Sequence, residues 1–454
     1  MSFEWIDTTL GDFLNLKRGY DLPKTKRKDG DIPIISSSGY SGFHDISMAK
    51  GPGVVTGRYG TIGEVFYIPE DFWPLNTTLY VEHFKGNSPL FSYYLLQTID
   101  FHAYSDKAAV PGINRNHVHM ANIRVPNSII AQERIASFLK KFEDKITSNK
   151  KINQTLEQMA QALFKSWFVD FEPVKAKMAV LEAGGSQEDA TLAAMTAISG
   201  KNANALAVFE RERPEHYAEL KATAELFPSA MQESELGEIP DGWETPAVQD
   251  VANTIKGKSY KSSELDRSKT ALVTLKSFSR GGGYRLDGLK EYTGKYKPDQ
   301  EVFAGDLIIA YTDVTQAADV IGKPAMVISD TRYEHLVISL DVAVVRPFND
   351  SLKYYLYGVA RTEQFQKHTS SHSTGTTVLH LSKNAVPGYR FILANEGLVN
   401  IYAQYAKSIF SKVNTTIEEN NCLSELRDTL LPKLLSGEIT LPEAEQAVSE
   451  AENV

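Results

Sequence analysis

"QERIASFLKKFEDKITSNKKINQTLEQMAQALFKSWF", residues 132–168, contains no proline or glycine. Its apolar residues Ile135, Phe138, Leu139, Phe142, Ile146, Ile152, Leu156, Met159 and Leu163 fall mostly three and four apart, with Glu, Lys, Gln and Asn between them. That spacing puts one apolar stripe on a helix. About 37 residues at 1.5 Å each make a rod of roughly 55 Å, and a stripe of that length calls for a seam against a second helix. The chain supplies the partner. From about Leu398 to Leu435 the stripe recurs at Leu398, Tyr402, Tyr405, Ile409, Val413, Ile417, Leu423, Leu426, Leu430 and Leu434, with Pro432 only near its end.

Outward from these helices the two halves of the chain match. Trp5 with Trp243, Asp12 with Asp250 and Gly19 with Gly257 share an offset of 238. Tyr93-Tyr94-Leu95 with Tyr354-Tyr355-Leu356, and Val125-Pro126 with Val386-Pro387, lie at 261, and the helices themselves pair at 267. The chain therefore reads as a tandem repeat, each unit a globular part followed by a long helix. Short β-rich runs such as "GVVTG", "EVFYI", "TLYVEHF", "LIIAY" and "SLDVAVV" build the globular parts. Helices follow from Ser88 and Ser351, each serine placed to cap. The expected fold class is α+β: two globular α/β domains separated by two long antiparallel coiled-coil-like helices. The boundaries are a first domain at 1–130, a helix at 131–172, an acidic Ala-rich connector at 173–237, a second domain at 238–396, a helix at 397–437 and a tail at 438–454. Helix is expected in the connector's "DATLAAMTAI" and "HYAELKATAELF", and loop in "AGGSQED" and "FPSAMQESELGEIPDGW".

The net charge of −9 hides two basic patches. Residues 17–28 carry six basic groups and one acid, and residues 256–297 carry eleven and four. Each patch begins at the matched glycine, with Arg18 opposite Lys256, and local patches of this kind set an electrostatic footprint on DNA. The acids gather in 173–237 and 397–454. No run of eighteen apolar residues exists, so no membrane span is expected. The N-terminus lacks the features of a signal peptide, and the single Cys422 excludes internal disulfides and a thiolate metal cage. The expected location is cytoplasmic.

Residues for catalysis are hard to find. "GGGYRLDGLK" lacks the lysine placement of a nucleotide-binding loop, and no aminomethyltransferase tetrad is present. His117 and His119 of "HVH" would share a face if extended, but have no evident third ligand. "SSHSTGTT" (370–377) lacks a nucleophile elbow and reads as a polar loop. "VVTGRYGTIGEVFYI" (54–68) spaces Gly57, Gly60 and Gly63 like a phosphate cradle. A cradle needs a helix behind its glycines, whereas β-branched and aromatic residues resume at once. The segment reads as a hairpin presenting Arg58 and Tyr59, and arginine can bond guanine bidentately in a DNA groove. The equivalent place in the second half, at offset 253, is "IIAYTDVTQAA", without glycines but with Tyr311, Thr312, Asp313, Thr315 and Gln316.

Several segments together resemble the specificity subunits of type I restriction–modification systems. They are "QALFKSWFVDFEPVKAKM" (161–178), "ELGEIPDGWE" (235–244) and "TLLPKLLSGEI" (429–439). "GRYGTIGEVFYI" before "FWPLNTTLYV", and "VPGINRNHVHMANIRVPN" before "AQERIASFLKKFEDKI", resemble the edges of that family's first target-recognition domain. The resemblance covers nearly the whole chain in order. It implies a subunit without catalysis or cofactor of its own, whose two domains each read half of a split double-stranded DNA target. Its helices would dock two modification subunits that bind S-adenosylmethionine and methylate adenine N6. Two restriction subunits using ATP and Mg are a further implied partner. The alternatives are a type IIB-like recognition subunit, a stand-alone DNA methyltransferase, and a coiled-coil scaffold without DNA specificity, against which the paired patches count.

The candidate DNA contacts are Lys17, Arg18, Lys24, Lys26, Arg27 and Lys28 of the first patch, with Arg58, Tyr59 and Thr61 of the hairpin and Asn114, Arg115 and Asn116 beyond it. In the second half they are Lys256, Lys258, Lys276, Arg280, Tyr284 and Arg285, then Tyr311, Thr312, Asp313 and Gln316. The docking positions implied by the resemblance are Phe142, Ile146, Leu156, Met159 and Phe168 on the first helix, and Ile409, Val413, Leu423, Leu426 and Leu434 on the second.

Overall fold

The computed structural model describes residues 4–104, 112–314, 318–376 and 378–452. They form two compact units, Met1–Asn149 with Glu419–Val454, and Lys150–Glu418. The long helices are continuous over Ile129–Phe168 and Glu396–Ser436, so each contributes residues to both units.

In the first unit an antiparallel four-stranded sheet runs in the order Asn15–Arg18, Thr78–His83, Gly53–Gly57, Val65–Ile68. A second sheet orders Gly39–His44, Ile32–Ser36 and Trp73–Pro74, the last pair parallel. The helix Pro89–Gln97 starts where expected, with the Ser88 hydroxyl accepting the Phe91 N–H. Its Phe91, Tyr94 and Leu95 share a core with Ile135, Leu139 and Phe142 of one long helix and Leu430 and Leu434 of the other.

The second unit repeats this topology. Its first sheet orders Ala252–Lys256, Val342–Pro347, Leu307–Ala310 and Pro324–Met326, again antiparallel. Its second places Lys290–Glu291, Thr270–Val273, His335–Ile338 and Glu301–Val302 side by side, with Thr270–Val273 and His335–Ile338 parallel. The matched glycines explain themselves here. A β-carbon on Gly19 would overlap the carbonyls of Pro74 and Leu75, and one on Gly257 those of Ile338 and Ser339. Both positions let a strand end pass against the turn that follows a parallel strand, where only glycine fits.

Three local readings change. Ser351 does not cap with its side chain; the Asn349 carboxamide oxygen accepts the Ser351 N–H instead. The helix it precedes ends at Arg361, and Thr362 caps a separate helix, Glu363–Ser371, by accepting the Phe365 N–H. The segment read as loop before Trp243 holds a hairpin, Met231–Ser234 with Gly237–Pro240, turned by Gly237 at φ +94°. The connector is four helices, Glu172–Glu182, Gln187–Ser199, Ala203–Glu212 and Pro214–Glu225. Its buried Lys177 donates to the carbonyls of Ala224 and Phe227, closing the last of them.

The helix seam also departs from the apolar stripe. In both units the long helices run antiparallel: Phe138 lies near Leu434 and Asn149 bonds Asn420, while Asn153 bonds Val413 and Phe164 meets Tyr402. The inner positions are Phe142, Ile146, Asn149, Asn153, Ala160, Phe164 and Phe168 against Tyr402, Ala406, Phe410, Val413, Thr416, Asn420 and Leu430, all buried. Ile152, Met159 and Tyr405 are 45%, 56% and 50% exposed, and Leu156, Ile409, Ile417, Leu423 and Leu426 are half-buried flanks. Of the docking positions implied by the resemblance, Phe142, Ile146, Phe168, Val413 and Leu434 are buried within this chain, so they pack its core rather than face a partner subunit.

Candidate nucleic-acid interface

The glycine segment is a hairpin. Thr56 pairs with Val65, and the Gly57 N–H donates to the Glu64 carbonyl at 3.2 Å. Gly60 and Gly63 sit at φ +80° and +89°, and a β-carbon on Gly57 would strike the Thr61 carbonyl. No helix follows, so no array of N-terminal amides faces a phosphate. The loop carries Arg58 and Tyr59, both half-exposed, with the guanidinium 4.5 Å from the tyrosine ring centre. Thr61 is half-exposed beside them.

Backbone bonds identify the counterpart of this tip. Arg58 donates its N–H to the Thr77 carbonyl at 2.8 Å, and its own carbonyl accepts from Ile113 at 3.1 Å. Tyr311 donates to the Asp341 carbonyl at 2.7 Å and accepts from Leu381 at 2.8 Å. The two positions are therefore the same place in the repeat. Their side chains differ in disposition as well as in kind. Tyr311 is 2% exposed, and the Lys256 ammonium lies 4.4 Å from its ring centre. Its hydroxyl is enclosed without a partner, and burial pushes its pKa up. Thr312, buried, donates to Asp341 Oδ1 at 2.8 Å. Asp313, 2% exposed, accepts the N–H groups of Val320 and Ile321 at 2.7 and 3.2 Å. Thr315 and Gln316 lie outside the described residues.

The basic candidates divide by whether a carboxylate already holds them. Lys17 is 2.5 Å from Glu82, whose pKa this contact holds below the usual carboxylate range. Lys28 is 3.7 Å from Asp45, Arg280 is 3.8 Å from Asp319, and Arg285 forks onto Asp287. Arg27 donates to the Ser41 carbonyl at 2.6 Å. Lys24 and Lys26 lie on an exposed single turn, and Arg18, Lys276, Arg115 and Asn116 are exposed. Lys258 is half-exposed, with its N–H on the Ile338 carbonyl. Asn114 accepts the Asn116 N–H at 3.1 Å and so caps the short helix Arg115–His119. Tyr284 is half-buried, its hydroxyl enclosed without a partner.

The "HVH" segment lies in that short helix rather than in an extended strand. His119 Nε2 accepts the Leu16 N–H at 2.9 Å, and burial, then Arg115 and Lys85, pushes its pKa down. A neutral imidazole in that role is a structural acceptor. Among the described residues no group of three His, Cys, Asp or Glu is placed to hold a metal ion, and no helix is long and apolar enough to cross a membrane. Lys383 escaped the sequence reading because it stands alone in "HLSKNA" (380–385), outside both basic patches. The signal available was its alignment with Arg115, at the offset of 268 that relates Ile113 to Leu381.

The sequence itself matches known proteins. The model of the type I restriction modification DNA specificity domain matches residues 3–158. Over 347 residues the chain is 32% identical to the type I restriction enzyme HindI specificity subunit of Haemophilus influenzae, covering 74% of this chain and 73% of that one. The chain belongs to the type I restriction enzyme specificity subunits. The type I restriction enzyme MjaIX specificity subunit of Methanocaldococcus jannaschii is 22% identical, over 94% of this chain and 91% of its own. The solved type I restriction–modification S subunit from M. genitalium is 15% identical with a TM-score of 0.49, over 95% of this chain and 96% of that one. Within this family the present subunit keeps the backbone of its tip in both halves and changes the residues upon it.

Proposed function

We propose that this chain is the sequence-reading subunit of a type I restriction–modification complex. Each domain reads one half of a bipartite double-stranded DNA target, and the chain itself carries out no chemistry. The observation that carries this reading is the pair of equivalent tips. Arg58 and Tyr311 hang from the same backbone bonds, yet one is a half-exposed cation and the other a buried ring. A nucleotide cradle would need the same groups in both copies, whereas two readers of different sequences need a common frame with different faces.

Two modification subunits, binding S-adenosylmethionine and methylating adenine N6, dock on the long helices. The exposed Ile152 and Met159, seven residues apart on one helix, support that docking. Two restriction subunits with ATP and Mg complete the assembly. The test is exchange of residues 243–390 for the equivalent segment of a relative, followed by single-molecule mapping of methylated adenines in the host genome. One half of the methylated sequence should change and the other stay. Changes in both halves would mean that the two domains share one reading surface.

A further inference from the structure

The tips are flanked by cations that no carboxylate satisfies, and they recur at equivalent places. In the second domain Lys256, the last residue of Ala252–Lys256, lays its ammonium on the ring of Tyr311. Lys383 lies two residues after Leu381, whose N–H is bonded to the Tyr311 carbonyl, so both lysines belong to segments that meet at Tyr311. Burial, and then the charge of Lys383, pushes the Lys256 pKa down. Neither lysine has an acidic group within ion-pair distance among the described residues, while Lys17, Lys28, Arg280 and Arg285 all have one. Two neighbouring like charges, neither held by a carboxylate, raise the energy of the free protein. An anion placed between them would lower it.

The first domain has a cation at each corresponding position. Arg18 ends the strand Asn15–Arg18 as Lys256 ends its own, each followed by the close-packed glycine. Arg115 follows Ile113, bonded to the Arg58 carbonyl, as Lys383 follows Leu381. Arg18 and Arg115 are exposed, without an acidic partner among the described residues.

We propose that each recognition domain carries the same two-cation clamp for DNA backbone phosphates, Arg18 with Arg115 and Lys256 with Lys383, set beside the tip at repeat-equivalent backbone positions. The clamp fixes where the duplex lies and the tip then reads it, the usual division between phosphate and base contacts. This rests on the DNA-reading function proposed above.

The test uses the full chain and a labelled random-sequence duplex over a series of KCl concentrations. Each phosphate contact on B-DNA contributes about 0.9 to the slope of log affinity against log salt. Lys256→Gln with Lys383→Gln should flatten the slope by about 1.8, and Arg18→Gln with Arg115→Gln should do the same. Lys383→Gln alone, at an exposed position outside the core, should remove about half of that. The Lys256→Arg, Lys383→Arg protein should keep the parental slope. If the parent binds with a steep slope and both double variants retain it, the clamp is wrong and DNA reading stands. If the parent binds no duplex at any salt, the function proposed above falls and the clamp with it.

Discussion

The helix seam offers a test of a polar contact where an apolar one was expected. Asn149, 2% exposed, donates to the Asn420 carboxamide oxygen and to Glu419 Oε2, both at 3.0 Å. Asn149→Leu removes both bonds and strands the Asn420 oxygen in a site 8% exposed. A net bond is worth about 1 kcal/mol and an orphaned buried acceptor costs about 1–3 kcal/mol, so the loss should be about 2–4 kcal/mol. Glu419 keeps Lys145 at 3.1 Å and adds little to that figure. Asn149→Leu with Asn420→Leu removes the orphan and should recover most of the loss, leaving a coupling energy of about 1–3 kcal/mol. Asn153 is the internal contrast. Its carboxamide nitrogen donates to the Val413 carbonyl over a long 3.4 Å, and its own oxygen is already buried without a partner. Asn153→Leu should therefore cost less than about 0.5 kcal/mol or stabilise. The assay is urea unfolding followed by helical circular dichroism for the two Asn149 and Asn420 single variants, their double and Asn153→Leu. Additive losses at 149 and 420, or a large loss at 153, would refute the seam described here.

Other outcomes follow from the tips and from the proposed non-catalytic role. Arg58→Ala should relax preference at one base of one half-site by about 1–3 kcal/mol if its contact is bidentate, leaving the salt slope nearly unchanged; competition binding against single-base variants of the target reads this. If affinity and preference both survive, the hairpin is only a turn. Replacing Lys24 and Lys26 with Gln should weaken binding to all sequences alike and flatten the salt dependence, measured by anisotropy titration. The purified chain should transfer no methyl group from radiolabelled S-adenosylmethionine to duplex DNA, and incorporation that follows the chain through purification would contradict a purely reading role.

The repeat, the long helices and the hairpin around Arg58 were legible because backbone need writes them into residue types. Gly19 and Gly257 admit no side chain, and a helix without Gly or Pro shows its period. The seam itself was not legible from hydrophobicity. Ile152 lies six residues beyond Ile146, about 240° around a helix of 3.6 residues per turn, so it cannot share that face. Asn153, seven residues on, returns to within about 20° of it. The step of six was the visible warning, and following the geometry rather than the apolar residues would have placed Asn149, Asn153 and Ala160 inside. The same choice separates Ile409 from Phe410 on the second helix, where two apolar neighbours compete and only packing decides.

The tips show where sequence matching stops carrying function. Alignment brought 311–316 opposite the Arg58 hairpin, and the bonds from Tyr311 to Asp341 and Leu381 place the two segments alike. Side-chain type then suggested that Tyr311, Thr312 and Asp313 face outward, yet all three point into the domain and hold its loop. Among the described residues near that tip, Val314 is 69% exposed and Leu340, in the turn equivalent to the one carrying Asn76, is 51% exposed. An apolar surface of that sort suits the thymine methyl group, whereas Arg58 suits guanine. A common frame whose tip residues differ between the two copies separates binding from reading. Phosphate contacts can be kept in both halves because DNA presents the same backbone everywhere, while the residues that meet base edges are free to differ. For the same reason, a change at the frame should weaken both specific and random binding, and a change at one tip should alter only one half of the recognised sequence.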